Sequence, residues 1–158
     1  VNRLVTAAST EWRGVSLLHV CGATDEAEVR AAYAGAANEL QVHAFLKDMP
    51  QALGAATLAV SRAGASSIAE LAAARVPAVF IPLPNSADDH QRANAAAVVA
   101  AGGGKVLEQH VTSSGELARV VEELLQDDPA RTKMVEGMAA LDRPESATQI
   151  ADRILRRL

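Results

Sequence analysis

Ser61-Arg62-Ala63-Gly64-Ala65-Ser66-Ser67-Ile68-Ala69-Glu70 decides how this chain reads. The apolar run Thr57-Leu58-Ala59-Val60 leads into it, and an alanine-rich helical pattern over residues 71–75 leads out. The order is strand, tight glycine turn, helix start. In open α/β sheets, ligands bind outside the carboxyl ends of the strands, where such turns sit. Gly64 can take φ > 0 and lets a ligand approach the backbone closely. Ser66 or Ser67 is placed to cap the helix, whose free N–H groups attract anions such as phosphate. Glu70 is expected within the first turn, where a carboxylate suits the helix dipole. It can also accept hydrogen bonds from two neighbouring hydroxyls, as on a ribose. The same kind of spacing opens many helices that bind nothing. This stretch alone leaves a plain cap and a binding turn both open.

Composition narrows the classes. The 158 residues fit one domain with an adequate core. Nearly half are hydrophobic and 22% are charged, a globular balance and not a disordered one. Alanine dominates and aromatics are 3%, as expected for helices packed closely on a sheet. The net charge is −4 and no basic block precedes Arg156-Arg157, which argues against nucleic acid as the main partner. Cys21 is the only cysteine, so no internal disulfide forms, and a reducing compartment such as the cytosol is expected. No run approaches a membrane span, and no signal-peptide pattern is seen. The chain starts without methionine and is read as one domain of something larger.

Taken in order, the pattern predicts a helix over residues 1–12 and a strand over 15–20. Thr24 or Asp25 then caps a helix over 26–36, and a strand covers 39–45. A short helix over 51–55 precedes the central strand and glycine turn. A proline-closed strand over 76–82 and a polar loop follow, then a helix over 89–101 capped by Asp88 or Asp89. The Gly102-Gly103-Gly104 run leads to a strand over 105–107. Thr112 or Ser113 caps a helix to about residue 126, and Pro129 starts another to about 140. A terminal helix over 145–158 carries Ile150, Ile154, Leu155 and Leu158 on one side. Continuous apolar strands joined by helices imply a parallel sheet covered on both faces. The predicted fold class is α/β, a single Rossmann-like doubly wound parallel sheet.

A second cluster, Asp88-Asp89-His90-Gln91-Arg92-Ala93-Asn94-Ala95, opens the helix after Pro82. His90, Gln91 and Asn94 supply neutral donors and acceptors that suit sugar hydroxyls, beside the same sheet edge. A solvated, capped first turn explains the same residues. Familiar catalytic sets are missing: no Gly-x-Ser-x-Gly elbow, His-Glu-x-x-His, Walker loop or cysteine pair. The four histidines are scattered, so no metal or other cofactor is expected. His19 and His43 read as satisfied sheet residues. A dinucleotide fingerprint needs Gly-x-Gly-x-x-Gly, and this turn has one glycine.

Three motifs in fixed order carry a resemblance. They are Ser61-Arg62-Ala63-Gly64-Ala65 with Glu70, then Ala74-Arg75-Val76-Pro77-Ala78-Val79-Phe80-Ile81-Pro82-Leu83-Pro84, then His90-Gln91-Arg92-Ala93-Asn94-Ala95. Together they resemble the C-terminal half of the MurG glycosyltransferases, and the match extends through Ala100-Ala101-Gly102-Gly103 to Leu107-Glu108-Gln109. Asn2 resembles the end of that family's first phosphate loop and its helix, and Cys21-Gly22 its next strand end. The resemblance implies one domain of the two-domain GT-B arrangement. In that family the C-terminal domain binds UDP-N-acetylglucosamine. The other holds a lipid-linked muramoyl-pentapeptide and the membrane. N-acetylglucosamine then moves to the acceptor's C4 hydroxyl with inversion, giving the cell-wall precursor lipid II.

The resemblance also implies roles. Leu46 presents backbone groups to the uracil edge and Met49 covers the nucleoside, although both also fit plain core packing. Gly64, Ala65, Ser66 and Ser67, with Ile68 and Ala69 behind them, face the diphosphate. Glu70 holds the ribose hydroxyls. His90 and Gln91 read the sugar, and Asn94 orders that helix start. His90-Gln91 stands where the family often has two glutamines. The family's glycine-rich loop before Val1, the strand ahead of it and the whole acceptor domain are not in the chain. Residues 1–158 are therefore expected to bind the donor weakly, to offer no catalytic base and to catalyse nothing alone. The parent protein is expected in the cytoplasm, peripheral on the inner membrane face. An open sheet edge would favour self-association of the fragment. Two other readings remain: a GT-B donor domain for a different UDP-hexose, and a non-catalytic α/β partner module.

Overall fold

The computed structural model describes residues 1–36, 39–84, 86 and 89–157. Five strands and eight helices alternate among them: α1 (Asn2–Ala8), β1 (Leu17–Val20), α2 (Glu26–Ala32), β2 (Leu40–His43), α3 (Met49–Ala55), β3 (Ala59–Ser61), α4 (Ala65–Ala74), β4 (Ala78–Phe80), α5 (His90–Ala100), β5 (Gly104–Val106), α6 (Ser114–Gln126), α7 (Asp128–Ala139) and α8 (Ser146–Leu155). Every strand pairing is parallel, as the uninterrupted apolar strands require. Residues 76–82 read as the most apolar strand and are all buried. Their middle forms β4, the centre of a three-stranded sheet in the order β3-β4-β5.

The parallel α/β expectation holds, with one refinement. The strands form two ladders, β1-β2 and β3-β4-β5, with no pairing between β1 and β3. In the doubly wound order 3-2-1-4-5-6, these correspond to lanes 3-2 and 4-5-6. The lane between β1 and β3 is not filled by the described residues. Leu17 and Val60, one from each ladder, nevertheless pack on one shared core with Trp12, Val79, Ile81 and Leu117. Trp12 locks that layer by donating its indole N–H to the Ala118 carbonyl at 3.3 Å. The opposite layer packs Phe80 and Ala78 of β4 against Leu71, Ala95, Val98 and Met138.

Glycines at residues 102–104 have a packing reason that the sequence did not show. A Cβ on Gly137 of α7 would lie 2.4 Å from Gly102 C and Gly103 N. One on Gly104 would lie 2.6 Å from the Ala78 carbonyl oxygen. The α5–β5 turn and α7 thus cross backbone to backbone.

Several local expectations are corrected. Neither Thr24 nor Asp25 caps α2 through its side chain, because the Asp25 carboxylate accepts instead from Asn2 Nδ2 at 2.7 Å. Asp89 precedes α5 without a side-chain cap bond, and Asp88 lies outside the described residues. Ser113, not Thr112, caps α6 by accepting from the Glu116 N–H. His19 is satisfied, whereas His43 Nε2 is buried with no hydrogen-bond partner among the described residues. On α8, Ile150, Ile154 and Leu155 lie exposed, and no residue of that helix is buried. Leu158 lies outside the described residues. Among the described residues, no helix is long and apolar enough to cross a membrane.

Candidate nucleotide-sugar site

The site is built where β3 ends. The chain leaves Ser61, passes the fully buried Ala63, and enters α4 at Gly64. Gly64 is itself the N-cap, at φ −68° and ψ 144°. The left-handed conformation open to a glycine is not used there, since this extended geometry already turns the chain. The serine caps are also corrected. Ser66 and Ser67 lie inside α4, and no side chain caps it. The first intrahelical bond runs from the Ile68 N–H to the Gly64 carbonyl at 3.0 Å. The amides of Ala65, Ser66 and Ser67 precede it and have no acceptor within the helix. They remain available to an anion at the strand ends.

Glu70 falls in the second turn of α4, because the helix starts at Ala65 and not later. Its expected interaction with the helix dipole is therefore lost, since that effect fades beyond the first turn. Its carboxylate is exposed, and among the described residues it makes no hydrogen bond or ion pair. Leu46 and Met49 are half-buried in the segment after β2, with Met49 opening α3. Asp48 caps that helix by accepting from the Gln51 N–H at 3.1 Å.

On α5, His90 is exposed and Gln91 half-buried. Gln91 Oε1 accepts the Leu83 N–H at 3.0 Å, so only its Nε2 remains as an outward donor. Its own N–H points to the buried Ser86 hydroxyl at 3.4 Å. Asn94 faces both the turn and the groove. Nδ2 donates to the Ala63 carbonyl at 3.1 Å. Asn94, Ala65, Ile68 and Ala69 line a groove of about 490 Å³ between α4, α5 and the segment after α7. Glu70, His90, Gln91, Leu46 and Met49 do not line it. The predicted residues follow β2, β3 and β4, strands of two ladders, and only four of them share this groove.

Two contributors went unassigned in the sequence. Arg62 donates from one guanidinium nitrogen to the carbonyls of Ile81 and Pro82, both at 3.0 Å, and burial lowers its pKa. It ties the end of β3 to the end of β4. Arg92 grips Glu108 with two bonds of 3.0 and 2.9 Å. That hydrogen bonding holds the Glu108 carboxyl below its ordinary value. Position after a strand was the available signal for Arg62, but its bonds go to backbone groups that no motif encodes. Among the described residues, no three His, Cys, Asp or Glu side chains gather to hold a metal.

The arrangement offers amide donors, an uncommitted carboxylate and a side-chain amide along one strand edge, which suits an anionic, hydroxyl-rich ligand. Fold and site define a Rossmann-like α/β domain of the GT-B glycosyltransferase type. The calicheamicin glycosyltransferase CalG4 shares that fold at TM-score 0.72 and 19% identity, over 99% of this chain and 39% of that one. Residues 1–154 match the glycosyltransferase family 28 C-terminal domain, and the chain belongs to that family. MurG of Acinetobacter baumannii superposes at TM-score 0.90 with 32% identity, over 98% of this chain and 45% of that one. Curated relatives in Xanthomonas campestris pv. campestris and Alkalilimnicola ehrlichii are each 41% identical, over 89% and 84% of this chain. Both are named UDP-N-acetylglucosamine--N-acetylmuramyl-(pentapeptide) pyrophosphoryl-undecaprenol N-acetylglucosamine transferase. The chain spans 33% and 37% of their respective lengths.

Proposed function

We propose that residues 1–158 form a single unit that binds the donor, UDP-N-acetylglucosamine, for an inverting hexosyltransferase. The parent protein makes lipid II. The observation that carries this reading is the start of α4, where the N–H groups of Ala65, Ser66 and Ser67 precede the first intrahelical bond. Uncommitted Glu70 follows on the same helix. Amide donors suit a diphosphate, and a carboxylate suits the paired hydroxyls of a ribose. The names of the curated relatives support the same donor.

In the proposed reaction the acceptor's C4 oxygen attacks the anomeric carbon of the donor. A new C–O bond forms as the bond to UDP breaks, the hydroxyl proton passes to a base, and UDP leaves. This chain's residues bind the donor and orient its diphosphate. The lipid-linked acceptor and the base belong to the portion of the parent protein outside residues 1–158, so the fragment alone transfers nothing. The parent acts in the cytoplasm, on the inner face of the membrane.

A second reading, a donor domain for a different UDP-hexose, draws on His90 standing where a glutamine is common. Titration with UDP, UDP-N-acetylglucosamine, a second UDP-hexose and ADP, followed by NMR, tests both. Uridine-selective shifts around Gly64–Glu70 are expected, and Glu70→Ala should weaken binding about tenfold, what a charge-assisted hydrogen bond contributes. Equal response to ADP, or an unaffected Glu70→Ala, refutes the assignment. Tighter binding of another UDP-hexose selects the second reading.

A further inference from the structure

The first turn of α5 is held by its own side chains and not by a cap. Asp89 precedes the helix in the left-handed conformation, at φ 52° and ψ 23°, and its side chain makes no cap bond. Gln91 ties the turn to the segment after β4, because its Oε1 accepts the Leu83 N–H at 3.0 Å. Arg92, the next residue, ties it to the segment after β5. Its Nε and Nη2 donate to the two carboxylate oxygens of Glu108 at 3.0 and 2.9 Å. Glu108 is a fixed anchor. The Leu107 N–H just before it donates to the Phe80 carbonyl of β4 at 2.9 Å, and the Glu108 carbonyl accepts from the Thr112 N–H at 3.0 Å. One bond leaves a helix start free to swing about it. Two, made to different segments by residues about 100° apart around the helix, define its direction and its rotation.

We propose that Arg92 is a positioning residue for the sugar end of the donor: its paired bonds to Glu108 hold the first turn of α5 and so fix where Gln91 presents its free amide. This rests on the donor-site reading above, with Gln91 as a sugar contact, and deepens it. Most exposed ion pairs contribute little, but two parallel bonds between a guanidinium and a carboxylate add geometric specificity. Here that geometry is what matters, since the partners sit on segments that follow adjacent strands. Arg92 has only Nη1 outside the pair, and this nitrogen lies 3.8 Å from the Asp89 carboxylate. The amides that face the diphosphate belong to a different helix, α4.

The test titrates the wild-type chain and its variants with UDP and with UDP-N-acetylglucosamine, followed by NMR. Arg92→Met keeps the stem and removes the fork. Arg92→Lys keeps the charge without the paired geometry. Glu108→Gln breaks the pair from the other side. UDP-N-acetylglucosamine should bind about two- to fivefold more weakly to Arg92→Met and to Glu108→Gln alike, the range of an exposed ion pair. Combining the two should cost no more than either alone. Arg92→Lys should recover only part of the loss, and UDP should bind every variant as it binds wild type. A loss shared equally by UDP would mean general support of the fold and overturn the proposal. A loss in Arg92→Met without one in Glu108→Gln would mean that Arg92 meets the ligand itself, and full recovery in Arg92→Lys would mean that charge alone suffices; either overturns it. If the wild-type chain binds neither ligand, the donor-site reading fails and the proposal with it. If it binds both and every variant matches it, only the positioning role is lost.

Discussion

His19 lies buried on β1 between two partners whose roles follow from one another. Asn2 Nδ2 donates to the Cys21 carbonyl and to Asp25, so Asn2 Oδ1 must accept. It accepts from His19 Nε2–H at 3.1 Å, which leaves Nδ1 to accept the Tyr33 hydroxyl at 2.8 Å. That network needs the neutral ring, and burial lowers the His19 pKa accordingly. Burial also pushes the Tyr33 hydroxyl up to about 12, so it stays a donor at neutral pH. The unfolded chain binds a proton on His19 from about pH 6.5 downward, before the folded chain does. Stability should therefore fall as pH drops below about 6.5, until the folded ring is protonated too. Thermal melts across this range should show a steeper loss for wild type than for His19→Gln. Equal slopes would exclude His19 as the titrating group. The strand pattern pointed to a satisfied histidine here, yet the same pattern failed at His43. Period-2 spacing locates a side chain on a face but says nothing of what faces it. Asn94 shows the same limit, since its residue type and helix position said nothing of its bond to the Ala63 carbonyl.

Among the elements, the crossing of α7 over the α5–β5 turn is the tightest described. Gly137→Ala must push its methyl into the Gly102–Gly103 backbone, which cannot move aside as a flexible side chain would. Overpacking of this kind costs about 1–3 kcal/mol, more than the gain of roughly 1 kcal/mol from helix propensity. Gly54→Ala in α3 meets nothing within 4 Å and should keep that propensity gain. Urea midpoints should move down for the first and up for the second; a rise for Gly137→Ala would contradict the crossing. Element order was readable because apolar runs and helical spacing are local signals. Helix starts were less so. Ser113 caps α6 as its residue type suggests, whereas α4 begins at Gly64, ahead of the two serines. There the buried Ala63 and its bond from Asn94 set the turn, and both are tertiary.

For the molecule as a whole, the parallel α/β architecture followed from the alternation of elements, but the division into two ladders did not. Pairing between distant strands leaves no mark on either one's own pattern. The division leaves one side of β1 and one side of β3 without a ladder partner among the described residues, and Leu18 on β1 is 40% exposed. Unpaired strand sides recruit other strands. Light scattering at rising concentration should report a mass above that of one chain; a steady monomer would count against open edges. The terminal helix bears on handling under load. Since α8 buries none of its residues, its unwinding exposes no buried side chain. A pull applied there would spend its first extension on a compliant leader, and the sheets would feel tension only after that helix had run out.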